Sequence, residues 1–152
     1  MALDRSYVAG ILSDRLEGFM LELQRDVKIT ETNIHEKVLE RPGLAAKWGR
    51  YSYEEERYLK KLKDAAEKYQ QVVVQKLYGS KKQAITSGAG ADIIINKQAK
   101  DLLKSDDKYL KLMTEIENQE EIIRFIGEAK QIMYSFGYDC KNAIEVMKLE
   151  TI

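Results

Sequence analysis

At 152 residues the chain suits one domain, or one unit completed by self-association, and its 44% hydrophobic and 33% charged content excludes the low-hydrophobicity composition of disordered chains. Lys+Arg and Asp+Glu both number 25, so whole-molecule charge gives no argument for nucleic acid, a membrane surface or an acidic substrate. The one cysteine, Cys140, has no partner for an intramolecular disulfide, and no run approaches the roughly 20 apolar residues that span a bilayer. An intracellular protein with no membrane partner is expected.

Abundant Leu, Glu, Lys, Ala and Gln with a single proline favour helix, because these side chains lose little freedom there. In residues 3–27, Val8, Ile11, Leu12, Leu16, Phe19, Leu23 and Val27 recur at three- and four-residue steps, which predicts a first helix. Thr32 is placed to cap a short helix to about Arg41, with Pro42-Gly43 as its stop. From Leu44 to Tyr78 the stripe Trp48, Tyr51, Tyr58, Leu62, Ala65, Tyr69, Val73 and Leu77 predicts a second long helix, with Gly49 a candidate bend.

Residues 79–91 are rich in glycine and small polar side chains and read as a mobile connector. Asp92-Ile-Ile-Ile95 allows a short strand, but helix is the better reading through Lys104. Ser105-Asp106-Asp107 is a helix start, with the hydroxyl as cap and the carboxylates at the positive end of the dipole. The helix that follows carries Tyr109, Leu112, Met113, Ile116, Ile123, Ile126, Ala129, Ile132, Met133 and Phe136 on its apolar side, and a shorter helix follows Gly137. The expected fold is all-α, built of long antiparallel helical hairpins.

The search for catalytic chemistry finds little. His35 is the sole histidine and lies on a polar segment, so neither a His-based metal site nor a Ser–His pair forms within one chain. Glu54, Glu55 and Glu56 point in different directions around a helix and read as a solvated face. The Gly88-Ala-Gly-Ala and Gly79-Ser-Lys-Lys segments lack the spacing of a phosphate-cradling loop. A protein that is not an enzyme, with no metal and no cofactor, is expected; an enzyme built from carboxylates of several subunits is the reading that divalent-metal dependence would revive.

Charge is unevenly spread, and this is the positive signal. Residues 56–82 hold Arg57, Lys60, Lys61, Lys63, Lys68, Lys76, Lys81 and Lys82 against only Glu56, Asp64 and Glu67. Residues 106–128 reverse the balance, with seven carboxylates against Lys108, Lys111 and Arg124. Lysines interleaved with Tyr53, Tyr58, Tyr69 and Tyr78 match what a sequence-tolerant single-strand binder needs, cations for phosphates and rings for bases. The alternative for Tyr58 and Tyr69 is core packing, since they share the apolar stripe.

Four stretches, in order, resemble the UvsY family of tailed-phage recombination mediators: Leu21-Glu-Leu-Gln-Arg-Asp-Val27; Ala46-Lys47-Trp48 with a long charged helix after it; Leu103-Lys-Ser-Asp-Asp-Lys-Tyr-Leu-Lys-Leu112; and Phe136-Gly137-Tyr138 with Lys141 and Ile144. The resemblance covers about residues 21–150 as a single helical domain and leaves residues 1–20 as an N-terminal extension. It implies a homo-oligomeric, ring-forming protein in the cytoplasm of an infected bacterial host. Such a protein binds single-stranded DNA and contacts the phage single-strand-binding protein and a RecA-like recombinase, which it loads in recombination, repair and recombination-dependent replication. The family's basic Leu-Lys-x-Arg-Leu core is replaced here by Val72-Val-Val-Gln-Lys-Leu-Tyr-Gly-Ser80, with Lys76, Lys81 and Lys82 close by.

The expected DNA contacts are Lys60, Lys61, Lys63, Lys76, Lys81 and Lys82 with Tyr78. The expected assembly contacts are Leu112, Ile116, Ile123, Ile126, Met133 and Phe136, against the alternative that these form the subunit's own core. A helical scaffold that assembles without touching DNA is the rival function.

Overall fold

The computed structural model describes residues 5–81 and 89–151, with side chains described over 14–79 and 94–151. Four helices account for nearly all of it: α1 (Arg5–Val27), α2 (Ile34–Lys81), α3 (Ala89–Leu103) and α4 (Asp107–Glu150). At 1.5 Å per residue, the 48 residues of α2 and the 44 of α4 make rods of about 72 and about 66 Å. They run antiparallel side by side: Arg41 meets Gly137, Glu55 meets Gln119, and Tyr69 meets Asp106. α1 packs on α4 and reaches the first half of α2 through side chains, Arg15 to Glu55, Glu22 to Tyr51 and Asp26 to Trp48, while α3 packs on the last turns of α2.

The α1–α2 turn is tied by Asn33. Its side chain accepts from the Thr30 N–H at 2.6 Å and donates to the Lys28 carbonyl at 3.1 Å, while its own carbonyl takes the Lys37 N–H at 2.9 Å. The expected cap, Thr32, instead shares a hydroxyl hydrogen bond with Thr30 at 3.0 Å. The expected stop at Pro42-Gly43 is also overturned, since α2 runs through both. Ile34, Leu44 and Trp48 lie on one packed stripe on either side of the proline, and the Pro42 ring occupies an exposed position where water can replace the lost donor.

α4 is likewise unbroken at Gly137. That glycine lets the Arg41 guanidinium lie against the helix, for a Cβ there would fall 2.3 Å from Arg41 Cζ, and Arg41 Nη2 donates to the Tyr134 carbonyl at 3.4 Å. The α4 start is capped by Asp106, whose carboxylate accepts the Tyr109 N–H at 3.1 Å; the Ser105 hydroxyl donates backwards to the Leu102 carbonyl. Asp92-Ile-Ile-Ile95 is helical within α3, and Ile95, Ala99 and Leu103 form its buried edge. Of the connector at 79–91, residues 79–81 close α2, 89–91 open α3, and 82–88 lie outside the described residues. Val8, Ile11 and Leu12 lie outside the described side chains.

Two apolar clusters fill the hairpin. One gathers Leu23, Trp48, Ile122, Ile126, Ala129 and Met133, with Leu16, Phe19 and Tyr51 against it; the other joins Leu62, Ala66 and Ile116. Between them lies a polar layer. Glu55, expected to be solvated, is 8% exposed; Gln119 Nε2 donates to its Oε2 at 2.5 Å and to its carbonyl at 2.9 Å, and Arg15 Nη2 to its Oε1.

Asp26 anchors α1 to α2. Its Oδ2 accepts the Trp48 indole N–H at 2.9 Å and the Lys47 ammonium at 2.5 Å, and Lys47 also reaches Glu22 at 2.9 Å. Burial pulls the Lys47 pKa down, but the hydrogen bonds and charges of Asp26 and Glu22 together outweigh it and leave it raised. Replacing Asp26 by Ala strands the buried indole donor and leaves Lys47 with Glu22 alone, and a loss of about 3 kcal/mol is expected; Asp26→Asn, which keeps an acceptor for Trp48, loses less. Urea unfolding followed by fluorescence of Trp48, the single tryptophan, measures both.

Candidate nucleic-acid interface

The face of α2 opposite its packed stripe is set by helical spacing. Trp48, Glu55, Leu62 and Tyr69 recur every seven residues towards α4, so side chains half a turn away face outward. Arg50, Arg57, Lys61 and Lys68 occupy that outer face at steps of seven, four and seven, all exposed, along about 27 Å of helix. Lys60 and Tyr53 stand beside this row. Tyr53 is 61% exposed, and the Arg57 guanidinium sits over its ring at 5.7 Å, a planar surface that is already half assembled for a stacked base.

Among the described residues, Arg57, Lys60, Lys61, Lys68 and Lys76 have no carboxylate within ion-pair distance. Lys63 lies on the flank nearer α4, where it approaches Glu120 at 3.6 Å. Lys76 is exposed in the last turns of α2, Tyr78 is 39% exposed, Lys81 is the final residue of α2, and Lys82 lies outside the described residues. The seven residues expected to touch DNA therefore do not form one patch. Lys61 lies in the outer row with Lys60 beside it, Lys63 turns from it, and Lys76 and Tyr78 stand about 23 Å or more further along the helix from Lys61.

Arg50, Tyr53, Arg57 and Lys68 complete the row and were not among the expected contacts; their spacing relative to Trp48 and Leu62 is the signal that finds them. Tyr58, for which core packing was the alternative, is 45% exposed, and Leu59 takes the inward place. Tyr69 is half-buried and stacks on Tyr109 at 6.4 Å, with its hydroxyl donating to Asp106 at 2.5 Å.

Four of the six expected assembly residues are used inside the chain. Ile116, Ile126, Met133 and Phe136 are 6% exposed or less, whereas Leu112 and Ile123 are half-buried. The outer face of α4 carries Tyr134, Tyr138 and Leu149, each more than two-thirds exposed. Cys140 is buried, and burial raises its pKa. His35 is exposed, and no three His, Cys, Asp or Glu side chains among the described residues converge as metal ligands. Among those residues no helix is long and apolar enough to cross a membrane.

The long arm of the hairpin thus bears a predominantly basic and aromatic row, in which Arg50 pairs with Glu54 at 3.8 Å and the exposed Asp64 interrupts the cations. The family model for the recombination, repair and single-stranded-DNA-binding protein UvsY matches residues 22–151. The chain belongs to the UvsY family. No curated protein and no solved structure matches it. The match begins inside α1, and Arg15, Leu16 and Phe19, which precede it, pack into the same core.

The stretches that resemble other UvsY proteins are the joints of this fold. Asp26 receives Lys47 and Trp48, Asp106 caps α4 and receives Tyr69, and Gly137 admits Arg41. The Tyr69 hydroxyl, and after it the Tyr109 N–H, hold the Asp106 carboxyl below its ordinary 3.8, while the same hydrogen bond raises Tyr69 above its ordinary 10.0. The depressed Asp106 contributes stability above the ordinary carboxylate pKa and loses it as pH falls through the lowered value; the raised Tyr69 contributes below 10.0 and loses it as pH rises through its own. In Tyr69→Phe, Asp106 is expected to titrate closer to 3.8, read from its carboxyl carbon shift by NMR.

Proposed function

We propose that the protein is a recombination mediator that lays single-stranded DNA along the outer face of α2 and, in the cytoplasm of an infected bacterial host, helps load a RecA-like recombinase where the phage single-strand-binding protein would otherwise remain. Membership of a family described as single-stranded DNA binding supports the DNA half. The observation that carries it in this chain is the row Arg50, Arg57, Lys61 and Lys68, flanked by Lys60 and Tyr53. Arg57, Lys61 and Lys68, which have no carboxylate within ion-pair distance among the described residues, release counterions when phosphates take their place, Arg50 being shared with Glu54 at 3.8 Å, and an exposed ring under a guanidinium accepts a base without reading its identity.

On this reading the recombinase is loaded by changing how the strand is presented, through binding alone, without hydrolysis. Several subunits are needed to hold one strand over useful length, which fits a homo-oligomeric ring. The outer surface of α4 suits that role better than its buried stripe, because Tyr134, Tyr138 and Leu149 are apolar or aromatic and more than two-thirds exposed.

Fluorescence anisotropy of a labelled single-stranded oligonucleotide across a salt series tests the DNA half. Changing Lys61 or Lys68 to Gln is expected to flatten the dependence of log K on log salt by about 0.7 each. Tyr53→Ala should weaken binding about tenfold with the slope unchanged, as expected for one stacked base. No binding at low salt sinks this half and leaves the oligomeric scaffold as the function. Sedimentation velocity tests assembly: wild type should sediment well above its 17.5 kDa chain mass, and Tyr138→Asp with Leu149→Asp should shift it towards the monomer.

A further inference from the structure

Away from the outer face of α2, a second set of polar side chains converges where α3 packs beside the start of α4. Gln70 of α2, Asn96 and Lys100 of α3, Lys104 just after it and Tyr109 of α4 surround an open cavity of about 460 Å3. Its floor is apolar, formed by Ala99 and Leu103, which are 3% and 4% exposed. The volume lies within the range of small-ligand clefts, about 300–1,000 Å3.

The lining is donor-rich and contains no carboxylate. Lys100 has no carboxylate within ion-pair distance among the described residues, and Lys104 has only Asp101 at 3.8 Å, in a pair where both partners are exposed. Gln70 Nε2 donates to the Tyr109 hydroxyl oxygen at 2.7 Å, so the phenol's own proton is directed elsewhere and is free for an acceptor. The Tyr109 ring is held in place by its stack on Tyr69, which is itself fixed by Asp106 and covered by Lys108 at 5.3 Å. Two ammonium groups, two carboxamides and a fixed phenol suit a ligand with an anionic oxygen group at one end and a flat polar ring at the other.

We propose that this cleft seats one nucleotide of the bound single strand, its phosphate on Lys100 and Lys104 and its base against Tyr109 within reach of Asn96 and Gln70. The inference rests on the DNA-binding reading given above. It adds a site on α3 and α4 to the face of α2, about 15 Å along the helix from Lys60 to Gln70. A strand following α2 thereby meets a polar stop at which one base leaves the stack and is held, which also sets the register of the strand on each subunit.

The test uses the full-length protein and labelled oligothymidine, with Lys100→Gln/Lys104→Gln compared with Lys100→Arg/Lys104→Arg. Both lysines are exposed, so folding should be kept, and circular dichroism checks it. The Gln variant is expected to flatten the salt dependence by about 1.4 and the Arg variant to restore it. Asn96→Ala should reduce the preference for base-bearing over abasic oligonucleotide several-fold at unchanged slope. If wild type binds DNA and the Gln variant keeps the wild-type slope, the seat is overturned and the α2 face stands; if wild type does not bind, both readings fall together. Deoxythymidine monophosphate that binds in a Lys100- and Lys104-dependent way, and that oligothymidine cannot displace, would make the cleft a site for free nucleotide and overturn the strand seat.

Discussion

Glu55 is a carboxylate enclosed in the middle of a helical hairpin, and the placement of α1, α2 and α4 follows from the need to satisfy it. An ionised carboxylate left unpaired in such a place costs several kcal/mol, whereas Gln119 supplies two hydrogen bonds from α4 and Arg15 a charged donor from α1. The apolar clusters above and below, Leu, Ile, Met and Ala around Trp48 on one side and around Leu62 on the other, are less directional than this set of hydrogen bonds. A slide of α4 by one turn along α2 would take Gln119 from Glu55 and leave the buried carboxylate with Arg15 alone. The polar layer therefore selects the register, and the register decides which side chains of α2 face outward.

The residues by which the chain is recognisable serve the same end. Asp26 with Lys47 and Trp48 closes the α1–α2 joint, Asp106 with Tyr69 closes the joint at the start of α4, and Gly137 opens a place for Arg41 on the other arm. Each pair bridges helices at a position where small displacement breaks a hydrogen bond. The outer row of cations has no such constraint: a lysine on a solvated face can move by a turn and still meet a flexible polyanion. That difference lets charge on the outer face of α2 be redistributed while the architecture is kept.

The same contrast governs what could be read from the amino-acid sequence. α1 was visible because its apolar residues keep a three- and four-residue step, and the start of α4 because Asp106 and Asp107 sit before a long apolar repeat. Pro42 and Gly137 were read as breaks because each disfavours helix locally, by about 3 and about 1 kcal/mol; the packing of Ile34, Leu44 and Trp48 around one, and of Met133, Phe136 and Cys140 around the other, outweighs that preference. Glu55 looked solvated because its two neighbours are, and nothing in a run of three glutamates tells which one turns inward until Gln119 is known to lie opposite. Tyr58 was drawn into the stripe by its aromatic character, though Leu59 holds the inward place. Of the contacts proposed above, Lys60 and Lys61 were within reach of charge counting; Arg57 and Lys68 were counted with them, but placing them in one row required knowing which way α2 faces. Lys100 and Lys104 required knowing that α3 returns beside Gln70 and Tyr109.

A molecule with equal numbers of cationic and anionic side chains would be a poor partner for a polyanion if its charges were evenly mixed, and here each long helix carries an excess of one sign. Glu117, Glu121 and Glu128 are exposed on the outer face of α4 with Arg124 among them, while Arg57, Lys61 and Lys68 face outward from α2 with Glu54 and Asp64 among them, so each face keeps an excess of one sign. Across the hairpin itself the described residues show one lysine–glutamate pair between the two helices, Lys63 with Glu120, and it is exposed on both sides. The two charged rows are thus separated by the thickness of two packed helices, each about 10 Å across, whereas at physiological ionic strength the field of an exposed charge decays over about 8 Å. Each row is screened from the other before it can be cancelled by it. To a phosphodiester strand approaching α2, the protein is locally basic whatever its net charge, and the acidic row on the far side discourages the same strand from binding there. Neutral composition and the proposed directional affinity for nucleic acid are compatible because the register set by Glu55 keeps the basic excess on α2 and the acidic excess on α4.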